Sequence, residues 1–139
     1  MTKDEIFAFL NANPLVYLAT TEDGVPHVRG MMLFRADESG IYFHTGKGKE
    51  MTNQLEQQPV AELCVFNQQD GVQVRVSGTV EFLGDLALKQ QLVAERPFLQ
   101  PIVEQFGYEA FVVFRLAKHT ATVWTMAENM APKTYTQLS

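Results

Sequence analysis

The stretch "GIYFHTGKGKEMTNQLEQQPVAELCVF", residues 40–66, decides the architecture of this chain. It opens with the aromatic-rich run "IYFHT" and passes through a turn that holds two glycines and two lysines. Met51 and Leu55 then follow at helical spacing, and Pro59 precedes the apolar run "VAELCVF". The pattern predicts a strand, a glycine-lysine turn, a short helix that ends at proline, and a second strand.

Further strands are predicted on both sides of this stretch, because alternating apolar residues recur between turn residues. They are "LVYLATT", "VPHVRGMMLFRA", "VQVRVSGTVEF" and one or two strands in "AFVVFRLAKHTATVWTMA". Thr2 and Glu5 form a capping box before a helix that ends near Asn13, and "DLALKQQLVAERP" and "FLQPIVEQFG" have the character of surface helices. Roughly seven strands with two or three peripheral helices predict a mainly β fold, a small antiparallel barrel.

Composition limits the possible classes of protein. With 139 residues, 46% of them hydrophobic, we expect a single domain over residues 1–139. A net charge of −5 without a basic stripe argues against nucleic-acid binding. No apolar run has the length of a signal peptide or a membrane span, and the lone Cys64 excludes an intrachain disulfide, so we expect a cytoplasmic protein without membrane attachment.

The glycine-lysine turn has two interpretations. Lys47 and Lys49 can be ordinary solvated turn residues, as most lysine pairs are. Thr45, Gly46 and Gly48, however, add a hydroxyl group and unobstructed backbone amides beside the two ammonium groups. That combination is able to cradle a phosphate group.

Arginine and histidine residues in the strands are the other candidates for chemistry. Arg29 lies in the continuous apolar run "VRGMMLF", where a guanidinium group needs an anionic partner or an exposed face. None of His27, His44 and His119 is spaced as a metal-ligand pair with another histidine or cysteine, so no metal site is expected. No side chain stands out as a catalytic acid or base.

Four motifs, taken in order, resemble a known family over roughly residues 15 to 136. They are "PHVRGMMLF", the stretch of residues 40–66 quoted above, "VQVRVSGTVEF" and "FVVFRLAKHTATVW". Together they resemble the pyridoxamine 5′-phosphate oxidase-like FMN-binding split barrels. The resemblance implies a split β-barrel and a homodimer that binds FMN at the subunit interface.

The resemblance also implies the residues of the cofactor site. Arg29 matches the arginine on the phosphate side of FMN, the backbone of residues 30–33 matches the strand along the flavin, and Gln73 matches a glutamine that approaches the ring. Trp124 matches a tryptophan that reaches the cofactor from the partner subunit. With the lysines added from the turn, the expected cofactor-binding residues are Arg29, Gly30, Met31, Met32, Leu33, His44, Thr45, Lys47, Lys49, Gln73 and Trp124.

Two departures from the family pattern shape the expected function. Glu50 and Met51 stand where the family has a phosphate-binding Arg-Lys pair, so Lys47 and Lys49 are expected to supply the charge. Phe34 replaces a lysine of the vitamin B6 oxidases, and "MAENMAPK" replaces their basic Arg-Leu-His stretch. The chain resembles more closely the short members of the family that are grouped with general stress proteins and nitroimidazole reductases.

We therefore expect an FMN-dependent oxidoreductase that passes electrons from NAD(P)H to an unknown acceptor, and not a true pyridoxamine phosphate oxidase. Two alternatives stay open. One is a flavin-binding or flavin-sensing protein without turnover. The other is a split barrel that binds haem, a deazaflavin or another flat ligand.

Overall fold

A computed structural model describes residues Met1–Ser139, with eight strands and four α-helices. In chain order these elements are α1 (Lys3–Ala12), β1 (Leu15–Glu22), β2 (Val25–Met32), β3 (Arg35–Asp37), β4 (Gly40–Gly46), α2 (Glu50–Gln57), β5 (Val60–Asn67), β6 (Val72–Leu83), α3 (Leu86–Glu95), α4 (Gln100–Phe106), β7 (Phe111–Thr125) and β8 (Thr136–Gln137). A single turn of 3-10 helix, Pro97–Leu99, joins α3 to α4. No helix has both the length and the apolar character that crossing a membrane requires.

All strands belong to one antiparallel sheet in the order β2-β1-β5-β6-β7-β4-β3, with β8 added to β7. The terminal strands β2 and β3 do not pair with each other, so the sheet stays open and forms a split barrel, as the sequence predicts. The register between β6 and β7 shifts between Ser77 and Thr79. Gly78 is required at this bulge, because a Cβ atom there would lie 2.7 Å from the Ala117 carbonyl oxygen.

The main core lies inside the curved sheet and contains 21 buried residues. At its centre the rings of Phe43 and Phe114 stack with a centroid distance of 5.3 Å. Helix α1 closes one side of the core with Ile6 and Leu10, and the capping box predicted at its first turn is present. A smaller cluster packs α3 and the 3-10 turn against β7 and so fixes the segment that covers the functional site.

The sequence "VPHVRGMMLFRA" does not form the single strand predicted for it. It forms β2 and β3, because the strand is interrupted at Leu33. The Leu33 side chain is only 2% exposed, and its backbone N–H donates to the Pro14 carbonyl oxygen at 2.8 Å. The Phe34 N–H donates to the Tyr42 carbonyl oxygen at 2.8 Å. Burial of Leu33 thus turns the chain from β2 into β3 and leaves its carbonyl oxygen free to accept a further bond.

Candidate functional site

A cavity of about 760 Å³ opens between β2, the loop after β4 and the segment from α3 to β7. Three parts of the chain line it. The backbone of residues 30–32 forms one side, residues 44–49 form the second, and the third side comes from Arg96, the 3-10 turn, α4 and the residues that lead into β7. The cavity therefore gathers seven of the residues expected at the cofactor site, which are Gly30, Met31, Met32, His44, Thr45, Lys47 and Lys49.

The glycine-lysine loop forms one end of the cavity. The Lys47 N–H donates to the Ala110 carbonyl oxygen at 3.0 Å, which ties the loop to the residues before β7. Gly48 has a φ of 84°, a left-handed conformation that glycine adopts without strain. The side chains of Lys47 and Lys49 are exposed and have no carboxylate partner within 4 Å. Both ammonium groups are thus available to an anion.

Arg96 lines the cavity away from the lysine loop, and it is not among the residues predicted from the sequence. Its Nη2 donates to the Leu33 carbonyl oxygen at 2.7 Å, and its guanidinium group lies over the Phe34 ring at 5.4 Å from the centroid. Desolvation lowers the pKa of Arg96, against a smaller opposing effect from Glu95. Arg96 therefore places a guanidinium group beside Phe34, at the position where the resemblance implies a lysine in the vitamin B6 oxidases. The sequence feature that could have identified Arg96 is its position between a predicted helix and Pro97.

The wall beside Arg96 is apolar and aromatic. Phe98, Ile102 and Phe106 line the cavity and are exposed, and α4 has no buried residue. Three exposed apolar side chains around one concave surface are typical of a binding site, because small-molecule sites are concave and mostly apolar. The wall suits a flat apolar ligand.

His44 lies between the two ends of the cavity. Its ring packs edge-on against Phe111 with a centroid distance of 6.2 Å. Burial, followed by the charges of Arg96 and Lys49, lowers the pKa of His44 to about 4. The imidazole is therefore neutral at pH 7, where it can donate or accept a hydrogen bond but carries no charge.

Arg29 does not line the cavity. Its guanidinium group is directed towards protein acceptors and donates to Thr20 Oγ1 at 2.8 Å, Gln54 Oε1 at 3.0 Å and the Leu18 carbonyl oxygen at 3.3 Å. Desolvation lowers its pKa, and the charge of Glu50 partly opposes this effect. The structure thus places Arg29 between β1, β2 and α2, one residue before the cavity wall at Gly30.

Gln73 and Trp124 also lie outside the cavity, as does the Leu33 side chain in the core. Gln73 on β6 is directly opposite Trp124 on β7, and the Trp124 indole N–H donates to Asn129 Oδ1 at 2.8 Å. The strand registers place Gln73 on the same sheet face as Tyr17 and Gly30. Gly30 pairs with Tyr17, Tyr17 pairs with Cys64, and Phe66, two residues after Cys64, pairs with Gln73.

The open antiparallel sheet and its cavity define the class of the split barrels. The family described as Pyridoxamine 5′-phosphate oxidase matches residues 2–127. The chain therefore belongs to the pyridoxamine 5′-phosphate oxidase family. A pyridoxine/pyridoxamine 5′-phosphate oxidase from Gloeothece citriformis is 37% identical over 73 residues, which are 52% of this chain and 34% of that protein. The matched part is thus about a third of this curated relative.

Solved structures share the fold over nearly the whole chain. A NimC/NimA family protein from Clostridium acetobutylicum has a TM-score of 0.76 and 22% identity, over 96% of this chain and 93% of that one. A protein from the same organism related to general stress protein 26 of B. subtilis has a TM-score of 0.75 and 16% identity, over 99% and 97% of the two chains. For a pyridoxamine 5′-phosphate oxidase-related, FMN binding protein from Nostoc punctiforme the TM-score is 0.66 and the identity 16%, over 98% and 95%.

Proposed function

We propose that the protein is an FMN-binding oxidoreductase that accepts electrons from NAD(P)H and passes them to a small acceptor molecule. The observation that carries this proposal is the cavity itself. It is lined by two lysines without a carboxylate partner, by the apolar side chains of Phe98, Ile102 and Phe106, and by open strand backbone at Gly30. A flat ring system with a phosphate tail has the same division into an apolar part and an anionic part.

The residues of the cavity fit FMN. Lys47, Lys49 and the Thr45 hydroxyl group would hold the phosphate, since charge-assisted hydrogen bonds are the strong ones for this group. Gly30 leaves the backbone of β2 open, because no atom lies within 4 Å of the position that a Cβ would take there. A flat ring can therefore approach this strand. When bound, FMN supplies the redox chemistry, and the protein supplies position and electrostatics.

The acceptor is expected to have an apolar body. Phe98, Ile102 and Phe106 offer apolar contact, and Arg96 offers one cation that two backbone carbonyl groups already engage. A single engaged guanidinium group beside the apolar Phe34 is a poor site for the dianionic phosphate of a vitamin B6 vitamer. We therefore propose that pyridoxine and pyridoxamine phosphates are not the substrates.

A flavin-binding protein without turnover is the second candidate, and His44 favours it. This is the only imidazole in the cavity wall, and with a pKa of about 4 it does not serve as a proton donor at neutral pH. A protein that senses or stores flavin needs no proton donor. A protein that reduces an acceptor must either take the proton from water or use another group.

We also propose a homodimer in which the second subunit completes each cofactor site. The sheet face outside the core carries Leu15, Tyr17 and Val28, which are 72%, 64% and 69% exposed. This apolar face is continuous with Gly30 in the cavity wall and with Trp124 through the strand registers. A second copy of the face would cover the apolar surface.

The single cysteine supports a cytoplasmic location as part of the same proposal.

The absorption spectrum of protein purified without added cofactor tests the proposal. We expect the two bands of an oxidised flavin in the near ultraviolet and blue. NADH or NADPH should bleach them in the absence of oxygen, and a quinone added afterwards should take up the electrons and restore them. A flavin spectrum without bleaching would support the second candidate. A haem or deazaflavin spectrum would refute FMN as the cofactor.

A further inference from the structure

A second cluster of polar side chains lies outside the cavity, where β1 ends, β2 begins and α2 starts. Glu22, His27 and Glu50 each come from one of these elements. His27 Nε2 is 4.0 Å from Glu22 Oε2, and His27 Nδ1 is 4.0 Å from Glu50 Oε1. One ligand atom from each of the three residues can be chosen so that all lie within 4.8 Å of one another.

Glu22 and Glu50 differ from the other acidic residues that form salt bridges in the kind of partner they have. Four other acids are paired with a lysine or arginine, namely Glu38 with Lys3, Asp37 with Arg35, Glu62 with Arg75 and Glu81 with Arg115. Glu22 and Glu50 have only the imidazole of His27 within salt-bridge distance. The two carboxylates thus lie close together without a lysine or arginine within 4 Å of either, an arrangement that a bound cation would stabilise.

The buried amide of Gln54 holds this arrangement in place. Its Oε1 accepts from Thr20 Oγ1 at 2.5 Å and from Arg29 Nη2 at 3.0 Å, so its Nε2 faces the opposite way. That Nε2 donates to Glu22 Oε2 at 3.3 Å and to Glu50 Oε1 at 3.1 Å. Arg29, the fixed cation of this region, therefore contacts the amide oxygen of Gln54, while both carboxylates gather at its amide nitrogen.

We propose that Glu22, His27 and Glu50 bind one divalent transition-metal ion, Zn²⁺ in preference to Mg²⁺. An imidazole combined with two carboxylates is a donor set that suits zinc, whereas magnesium takes oxygen ligands. Ligand atoms around tetrahedral zinc are about 3.4 Å apart, from bond lengths of about 2.1 Å. The three side chains must therefore close by up to about 1.4 Å, which side chains that are 34–71% exposed can do by rotation.

The bound ion would join the β1–β2 hairpin to the first turn of α2. That first turn follows directly after Lys49 in the cavity wall, and His27 precedes Arg29 by two residues. The site is separate from the cavity, because none of its three ligands lines it. Its existence does not depend on the flavin proposed above, so the two proposals fail independently.

Calorimetric titration of chelator-treated protein with ZnCl₂, in a buffer that does not bind zinc, tests the site. We expect one Zn²⁺ per chain. Each of His27→Ala, Glu22→Gln and Glu50→Gln should weaken binding by about tenfold or more, which corresponds to about 1.4 kcal/mol. Cys64→Ser and Glu81→Gln are matched controls that change another zinc-binding side chain and another acid, and both should bind zinc like the parent.

Thermal unfolding separates the loss of the site from the loss of the fold. With EDTA present, the parent and His27→Ala should unfold at the same temperature, and Zn²⁺ should raise the unfolding temperature of the parent alone. Zinc binding to His27→Ala as tight as to the parent would show an adventitious ion only. A parent without saturable binding up to about 1 mM, where the binding energy is only about 4 kcal/mol, would also overturn the proposal. Displacement of Zn²⁺ by an equal concentration of Mg²⁺ would contradict the donor-set argument.

Discussion

The two ends of the cavity hold their cations in different ways. At the loop end, Lys47 and Lys49 extend from a glycine-rich turn and have no carboxylate partner. At the other end, Arg96 donates to the Leu33 and Met32 carbonyl oxygens at 2.7 and 3.5 Å and covers the Phe34 ring. The two lysine side chains are available to bind an anion, whereas the Arg96 guanidinium group already donates hydrogen bonds to the protein backbone.

This difference separates two roles that positive charge can take in one cavity. Removing a free lysine removes a contact to the ligand and costs the folded chain little, because exposed charges add little stability. Removing an anchored arginine leaves the Leu33 carbonyl oxygen without its donor and loosens the segment that covers the cavity. We therefore expect binding to respond to the lysines and stability to respond to Arg96.

The largest effect is expected at the loop end. Replacing both Lys47 and Lys49 by alanine should weaken FMN binding by roughly a hundredfold or more, since each charge-assisted bond contributes about 1.5–3 kcal/mol. Fluorescence titration of the parent and the double variant measures the change. Riboflavin lacks the phosphate and should bind both proteins almost equally. An unchanged FMN affinity would mean that the lysines are ordinary turn residues.

Replacing Trp124 tests whether one chain forms the whole FMN site or needs the partner subunit to complete it. Because we place Trp124 against the cofactor of the partner subunit, Trp124→Ala should weaken FMN binding by about tenfold, the value of an aromatic contact of about 1.4 kcal/mol. It should also ease dissociation of the dimer on dilution, because cofactor and assembly are linked.

Sedimentation velocity across a dilution series, with and without FMN, measures this linkage. Phe82→Ala is a matched control, since Phe82 is a partly exposed aromatic residue that packs against Phe114 in the core. It should leave the dissociation of the dimer unchanged. A monomeric parent that binds one FMN per chain would contradict the shared site.

Arg96→Ala should act mainly on stability. Loss of the bond to Leu33 should lower the free energy of unfolding by about 1–2 kcal/mol, a value reduced because the side chain is partly exposed. Arg96→Lys keeps the charge but not the planar fork, so it should recover only part of the loss. Urea unfolding measures both variants. If Arg96→Ala unfolds like the parent, the anchor is not structural and the contrast between the two ends disappears.

The smallest effect concerns His44, which lies between the ends. Its pKa in the folded protein is about 4, below the value of about 6.5 for a free imidazole. Below about pH 6.5 the unfolded chain binds a proton that the folded chain does not, so stability falls as the pH decreases towards 4.

His44→Gln should remove this part of the acid-side loss, as urea unfolding at pH 7 and at pH 5 would show. Lys49→Ala should reduce the loss, because the charge of Lys49 contributes to the lowered pKa. Burial also lowers the pKa of His119. The stability of each variant is therefore compared with that of the parent at the same pH. If His44→Gln loses as much stability as the parent between pH 7 and pH 5, His44 is not the group whose protonation causes the loss.

Local sequence signals predicted most of the fold. The capping box at Thr2, the helix after Lys49 and the antiparallel strands all follow from spacing over a few residues, and the structure contains each of them. The strand break at Leu33 was not predicted because "MMLF", residues 31–34, is apolar throughout and contains no turn residue. Only the packing of α1 and β1 shows that Leu33 must turn into the core.

Contacts between distant residues explain what the sequence did not predict at the site. Arg96 reaches a carbonyl group 63 positions earlier in the chain, and no local pattern encodes that distance. Glu22, His27 and Glu50 meet only because a hairpin and a helix pack together. The spacing of histidine and cysteine residues along the sequence therefore does not predict them.

The central claim is that this cavity binds FMN through a phosphate held at the lysine end. Equilibrium titration of the cofactor-free parent with FMN and with riboflavin, in parallel and followed by flavin fluorescence, tests it most directly. We predict saturable binding of one FMN per chain, and riboflavin affinity lower by roughly a hundredfold or more. Equal affinities for the two flavins, or no binding of either, would contradict the claim.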